Sequence, residues 1–368
     1  MPKPEIRRRA ADRSFIGLRI SNLGFPSDFG FRISDLRWLP TLLALLLAAS
    51  ASPTLAADAS TDRATVVLVV GAAGESEFGS NFVRQAGLWE QASKAADCRT
   101  ITLGLEDAPR TNDCELLRQT LGAEPKAGRG EVWLVLIGHG TFDGKEAKFN
   151  LRGPDLSATD LALWLKPLQR PLAVINTASA SAPFLNQLSA TNRVIITATR
   201  SGNEQNYTRF GQFLCEAIAD PHADLDKDGQ VSLLEAFLLA SRRVAEFYQL
   251  AGRIVTEHAL LDDNGDGLGT PADWFRGVRA VKQARNKALV DGLLAQQFTL
   301  LRSAADRQLS LEQRAARDAL ERQLFGLREA KASLPEDEYY ARLERLLIAL
   351  AQCYEPGPGA VPGPAGAQ

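Results

Sequence analysis

The sequence predicts an α/β protein, a mainly parallel sheet between helices, followed by a helical C-terminal region. Two observations carry this. Runs of continuous apolar, β-branched residues alternate with stretches of helical apolar spacing from Ala64 onward, the pattern of strands covered on both faces. The last third, by contrast, is rich in Ala, Leu, Arg, Glu and Gln and carries helix caps.

The strand runs are Thr65–Val70, Arg99–Leu103, Val132–Ile137, Leu172–Ile175 and Arg193–Ala198. Between them, Ser80–Ala96, Thr111–Leu121 and Ser157–Leu165 have helical spacing, the last with Ser157 and Asp160 in its first turn. In sheets of this kind, functional groups belong at the carboxyl ends of the strands. Gly138-His139-Gly140 closes the third strand run there, and Asn176-Thr177-Ala178-Ser179-Ala180-Ser181 closes the fourth.

The chain has 368 residues, 42 Lys+Arg against 44 Asp+Glu and a net charge of -2, which argues against a nucleic-acid partner. That near-neutrality hides an asymmetry. Residues 1–38 hold eight basic and four acidic residues, a net of +4, which leaves 34 minus 40, or -6, for the remainder. The basic stretch 1–38 reads as a non-structural leader or a mis-assigned start, and 39–57 as a signal peptide with small residues before a cleavage point near Ala56 or Ala57. The expected location is therefore secreted or periplasmic, with a signal-anchored membrane protein as the alternative if the signal stays uncleaved. The four cysteines, Cys98, Cys114, Cys215 and Cys353, form no CxxC pair, and export would permit a Cys98–Cys114 disulfide without requiring it.

The strand ending in Gly-His-Gly, the later strand ending in a small-residue turn and the Ile-Thr-Ala-Thr strand at 196–199 together resemble the caspase-like cysteine peptidases. The likeness is to the legumain and GPI-transamidase branch and spans residues 64–261. It implies that His139 is the family's catalytic His, that Thr197–Ser201 is its specificity loop and that Glu257–Leu261 is its late edge strand. It also places Ala178 where the family has its nucleophilic cysteine. A methyl group cannot attack a carbonyl, so the familiar thiolate route is closed.

Ser179 or Ser181 could replace the thiol with His139 as base, provided a hydroxyl lies within hydrogen-bond reach of the imidazole. Ser179 is one residue off the nucleophile position, and a helix cap is the simpler role for Ser181. A buried remnant is the simpler role for His139, so the chain is expected to lack peptidase activity.

The remaining chemistry is acidic. Residues 224–235 fit the twelve-residue EF-hand loop, within a helix-loop-helix unit at 207–250. Asp224, Asp226 and Asp228 stand at positions 1, 3 and 5, and Gly229 at the turn. Gln230 offers its carbonyl at 7, Ser232 can ligate through water at 9, and Glu235 supplies the bidentate carboxylate at 12. Val231, at 8, is expected to pair with a second loop. That loop is 262–273, with Asp262, Asn264 and Asp266 at 1, 3 and 5, Leu268 at 7 and Asp273 at 12. The expected cofactor is Ca²⁺, an oxygen-seeking hard cation.

Residues 274–354 are expected to form a two- or three-helix antiparallel unit that packs on the main domain or dimerises, and 355–368 a disordered Pro/Gly tail. Three functions fit: an exported calcium-binding pseudopeptidase that holds a peptide or protein, an active hydrolase using Ser and His139, or a calcium-stiffened envelope component.

Overall fold

A strand with apolar side chains on both sides must be covered on both faces, and Thr65–Val70 (β1) is buried along its whole length. In the computed structural model, residues 62–106, 112–282 and 289–354 are described, all within one compact unit. The leader 1–38, the signal segment 39–57 and the tail 355–368 lie outside the described residues.

After β1 come the helix Ser76–Ala95 (α1), the strand Arg99–Leu103 (β2), the helix Asp113–Ala123 (α2) and the strand Val132–Ile137 (β3). A small antiparallel sheet follows, of Gly140–Phe142 (β4), Ala147–Phe149 (β5) and Leu156–Ser157 (β6). The helix Ala158–Leu165 (α3) leads to the strand Leu172–Asn176 (β7). Next are the helix Ala182–Leu188 (α4) and the strand Arg193–Thr197 (β8). The helices Phe210–Ala217 (α5) and Leu233–Leu250 (α6) then flank the first acidic loop. The chain returns to the sheet as Leu260–Asp262 (β9) and Thr270–Pro271 (β10).

The sheet order is β10-β9-β8-β7-β3-β1-β2, with the five strands from β8 to β2 parallel and β9 and β10 antiparallel. The α/β expectation therefore holds, and each of its five strands is found within a residue of its expected end. Alternate residues feed two separate cores. Val66, Leu68, Trp133 and Val135 pack toward α1, α5 and α6, while Val67, Val69, Leu134 and Leu136 pack toward α2, α3 and α4. The edge strand lies slightly later than Glu257–Leu261, at Leu260–Asp262.

The C-terminal region is helical only in part. It begins with a hairpin of Phe275–Arg276 (β11) and Arg279–Ala280 (β12). The helices are Leu293–Gln297 (α7), Ala304–Gln308 (α8), Leu311–Glu329 (α9) and Glu336–Cys353 (α10). Ser310 caps α9 with the expected capping box to Gln313. The last two helices are antiparallel, because Gln313 near the start of α9 donates to the Cys353 carbonyl at the end of α10 (3.2 Å). All four cysteines are free, so the Cys98–Cys114 disulfide is not formed. No helix among the described residues is long and apolar enough to cross a membrane.

Candidate functional site

β3 and β7 are adjacent and parallel, which brings His139 and the Asn176–Ser181 turn to the same end of the sheet. Gly140 shows how closely they meet. A Cβ added there would stand 2.2 Å from the Ser179 carbonyl oxygen, so only glycine fits against the turn. The half-buried His139 ring sits among aromatic neighbours, with centroids 4.8 Å from Phe78, 5.1 Å from Phe82 and 6.0 Å from Tyr207. Its Nε2 is 3.2 Å from the Ala73 carbonyl, and bonding there requires the proton on Nε2.

The opposite turn is closed. Ala178 is 1% exposed, and Asn176 Oδ1 accepts its backbone N–H at 3.1 Å. Ser179 Oγ donates to the Gly140 carbonyl at 3.0 Å and accepts from the Gly140 N–H at 3.2 Å. Ser181 Oγ pairs with Thr199 Oγ1 at 3.2 Å and accepts the Thr199 N–H at 3.3 Å. Both hydroxyls are buried and neither bonds to His139. Ser181 is not a side-chain cap of α4 either; the Thr199 hydroxyl accepts the Ala182 N–H in its place (3.1 Å).

Beside this site the segment after β8 is tied to the chain entering the edge strand. Glu204 pairs with His258 Nδ1 at 2.6 Å and with Arg200 at 3.2 Å. Glu257 turns inward and accepts the N–H groups of Arg209 and Phe210, capping α5 with a carboxylate that burial pushes above its usual range.

In the first acidic loop, the carboxylates of Asp224, Asp226 and Glu235 offer oxygens within 4.8 Å of one another. Glu235 is buried. One of its oxygens accepts the N–H groups of Leu225 (2.7 Å) and Asp226 (3.3 Å), the other the N–H and the hydroxyl of Ser232. Burial pushes its carboxyl upward. Asp228 accepts from the backbone of Gln230 at 3.0 Å, and Gly229 has the positive φ of 84° that the sharp turn needs. The all-oxygen donor set that Asp224, Asp226 and Glu235 bring together is of the kind a hard divalent cation takes.

The pairing expected of Val231 with the second loop does not occur. Ser232 makes its antiparallel bridge with Thr299, and Leu233 N–H donates to the Phe298 carbonyl (2.8 Å). The reason is topological: the second loop connects β9 and β10 at the edge of the sheet and is held there.

Even so, the second loop repeats the first bond for bond. Asp262 accepts from Gly265 and Gly267 (both 3.1 Å) as Asp224 accepts from Lys227 (2.6 Å) and Gly229 (3.2 Å). Asn264 accepts from Asp266, and Asp266 from the Leu268 N–H, both at 2.8 Å. Only the closing carboxylate differs. Asp273 is 71% exposed and pairs with Lys282 at 3.2 Å, away from the loop. Asp291 makes the backbone hydrogen bonds that Glu235 makes in the first loop. Its Oδ1 accepts the N–H groups of Asp263 (2.9 Å) and Asn264 (3.2 Å), as Glu235 does with the corresponding residues of the first loop. Burial and the neighbouring Asp263 carboxylate push Asp291 up to about 8. No spacing rule would have found Asp291, because it lies outside the loop and beyond a β-hairpin.

No family model and no curated relative matches the chain. Among solved structures, it is similar to the Drosophila initiator caspase Dronc (13% identity, 57% of this chain and 82% of that one, TM-score 0.35). It is also similar to caspase-1 from Spodoptera frugiperda (11%, 55% and 87%, TM-score 0.35) and to protein GSU0716 from Geobacter sulfurreducens (12%, 50% and 89%, TM-score 0.32).

Proposed function

We propose that the chain is an exported, calcium-binding, caspase-like pseudopeptidase that holds a peptide or protein without cleaving it. The observation that carries this reading is Ala178, a buried methyl group at the end of the strand beside the one bearing His139. Nucleophilic catalysis needs a nucleophile and a base within hydrogen-bond reach. Here both nearby hydroxyls are engaged elsewhere, and His139 bonds to a backbone carbonyl. The ligand's place is the half-exposed surface of Phe78 and Tyr207 beside His139, at the carboxyl ends of the strands.

Calcium would be held by the two acidic loops: Asp224, Asp226, Asp228, Gln230 and Glu235 in one, and Asp262, Asn264, Asp266, Leu268 and Asp291 in the other. Bound there, the ion supplies positive charge to carboxylates gathered and partly buried in each loop. It is structural in this reading, since neither loop includes His139.

The test pairs two measurements on the full chain. A panel of fluorogenic peptides should give no turnover that depends on His139, whereas turnover lost in His139→Ala would overturn the reading. Binding of the same peptides, followed by fluorescence polarisation, should weaken in Phe78→Ala. Peptides that bind neither protein would remove the ligand-holding role.

A further inference from the structure

A second site lies at the opposite end of the sheet from His139, where β1 and β3 begin. A cavity of about 310 Å³ opens there between the strand starts and the first turn of α9. Its lining includes five arginines, Arg63, Arg129, Arg302, Arg307 and Arg314, against three acids, Asp62, Asp97 and Glu131, a surplus of two positive charges.

Three of the arginines are paired. Arg63 meets Asp97 at 2.7 Å, Arg129 meets Glu312 at 2.9 Å, and Arg302 meets Glu131 at 2.6 Å. Arg307 and Arg314 have no side-chain hydrogen bond or ion pair among the described residues. Arg314 is the more telling. Its Nε is sealed from solvent and has no acceptor, although buried guanidinium N–H groups are ordinarily satisfied. Burial, and then the charge of Arg302, push the guanidinium below the usual arginine value.

We propose that this cavity binds a small phosphate-bearing anion, with Arg314 as its central ligand and Arg307 at its mouth. Arg314 lines the cavity, and a planar guanidinium is matched to the paired oxygens of such a group. The 19-residue helix α9 begins at the cavity with Leu311, so its positive end reinforces the two unpaired charges. The volume is at the low end of small-ligand pockets, enough for phosphate or a compact phosphate monoester and too small for a nucleotide chain.

The test uses the full chain, titrated calorimetrically with inorganic phosphate and with glycerol phosphate, each against chloride of equal ionic strength. Saturable binding is expected with at least one of them. Tighter binding of the monoester identifies an esterified ligand; equal binding identifies free phosphate. Arg314→Met should weaken binding by about tenfold or more, and Arg307→Gln by a smaller factor. Arg314→Lys, which keeps the charge and loses the fork, should fall between wild type and Arg314→Met and guards against a folding defect in the latter. Absence of saturable binding in the wild type overturns the site, as does equal affinity in wild type and a folded Arg314→Met. Neither result bears on calcium or on peptide binding.

Discussion

Asp291 stands to the second acidic loop as Glu235 stands to the first: each carboxylate accepts the backbone N–H groups of the second and third residues of its loop. One closes its loop from the twelfth position, the other from beyond a hairpin. The equivalence has a direct consequence for metal binding. Calcium titration should show two sites in the wild type, and Asp291→Asn should lose one of them. Asp273→Asn should lose none, since that side chain is paired with Lys282 on the surface. A chelator should lower the melting temperature of the wild type; an unchanged melt would remove calcium from both loops.

Placing a thiol at position 178 should not create a peptidase. Ala178→Cys would place its sulfur in a turn that is buried throughout from Asn176 to Ser181, with Nε2 of His139 still engaged by Ala73. The expected result is a folded protein without peptide turnover and with a thiol slow to alkylate. Turnover in this variant would show that the site opens far enough to work.

The native cysteines should divide by burial. Desolvation pushes Cys98 up to about 11 and Cys215 up to about 12, so neither is a thiolate near pH 8. Iodoacetamide in native buffer should reach Cys114 and Cys353 first, and label Cys98 and Cys215 at useful rates only on unfolding. Mass spectrometry of timed samples reads the order.

Glu257 should matter more for folding than for ligand binding. Glu257→Ala removes the acceptor at the start of α5 and is expected to cost about 1–3 kcal/mol in a denaturant melt. Burial holds its folded-state pKa above the unfolded one, so the native state binds the proton more tightly. Its contribution is therefore greatest at acid pH and falls as pH rises through the folded-state value. Glu257→Gln, which cannot ionise, should flatten that part of the stability profile.

Gly140→Ala should be severely destabilising for a surface-sized change. The added methyl would lie 2.2 Å from the Ser179 carbonyl oxygen, and backbone must move to admit it. An expected loss of about 1–3 kcal/mol or more follows from overpacking of this kind, read as a lowered melting temperature.

Four of the strands were legible because a strand buried on both faces leaves a nearly unbroken apolar run, whereas β2, at the sheet edge, is only partly buried. The first acidic loop was legible because all its candidate ligands fall within twelve consecutive residues. The second was only half so: Asp262, Asn264 and Asp266 are local, while Asp291 arrives through tertiary structure. Residues 275–280 were taken into a helical region on composition, yet they form a hairpin. Arg314 offered no signal at all, since one arginine among many on an amphipathic helix reads as surface until the cavity beneath it is seen.

The bridge from Ser232 to Thr299 also sets what can move with what. Gln296 donates to Asp226 at 3.1 Å, and the Ser303 N–H to the Gln230 side chain at 3.2 Å, so the start of the C-terminal third is stitched to the first loop at several points. That loop is thus a buckle as well as a candidate metal site. Protease nicking between β12 and α9 should track the loop's ion content, which makes limited digestion with and without chelator a simple gauge of whether the buckle is fastened.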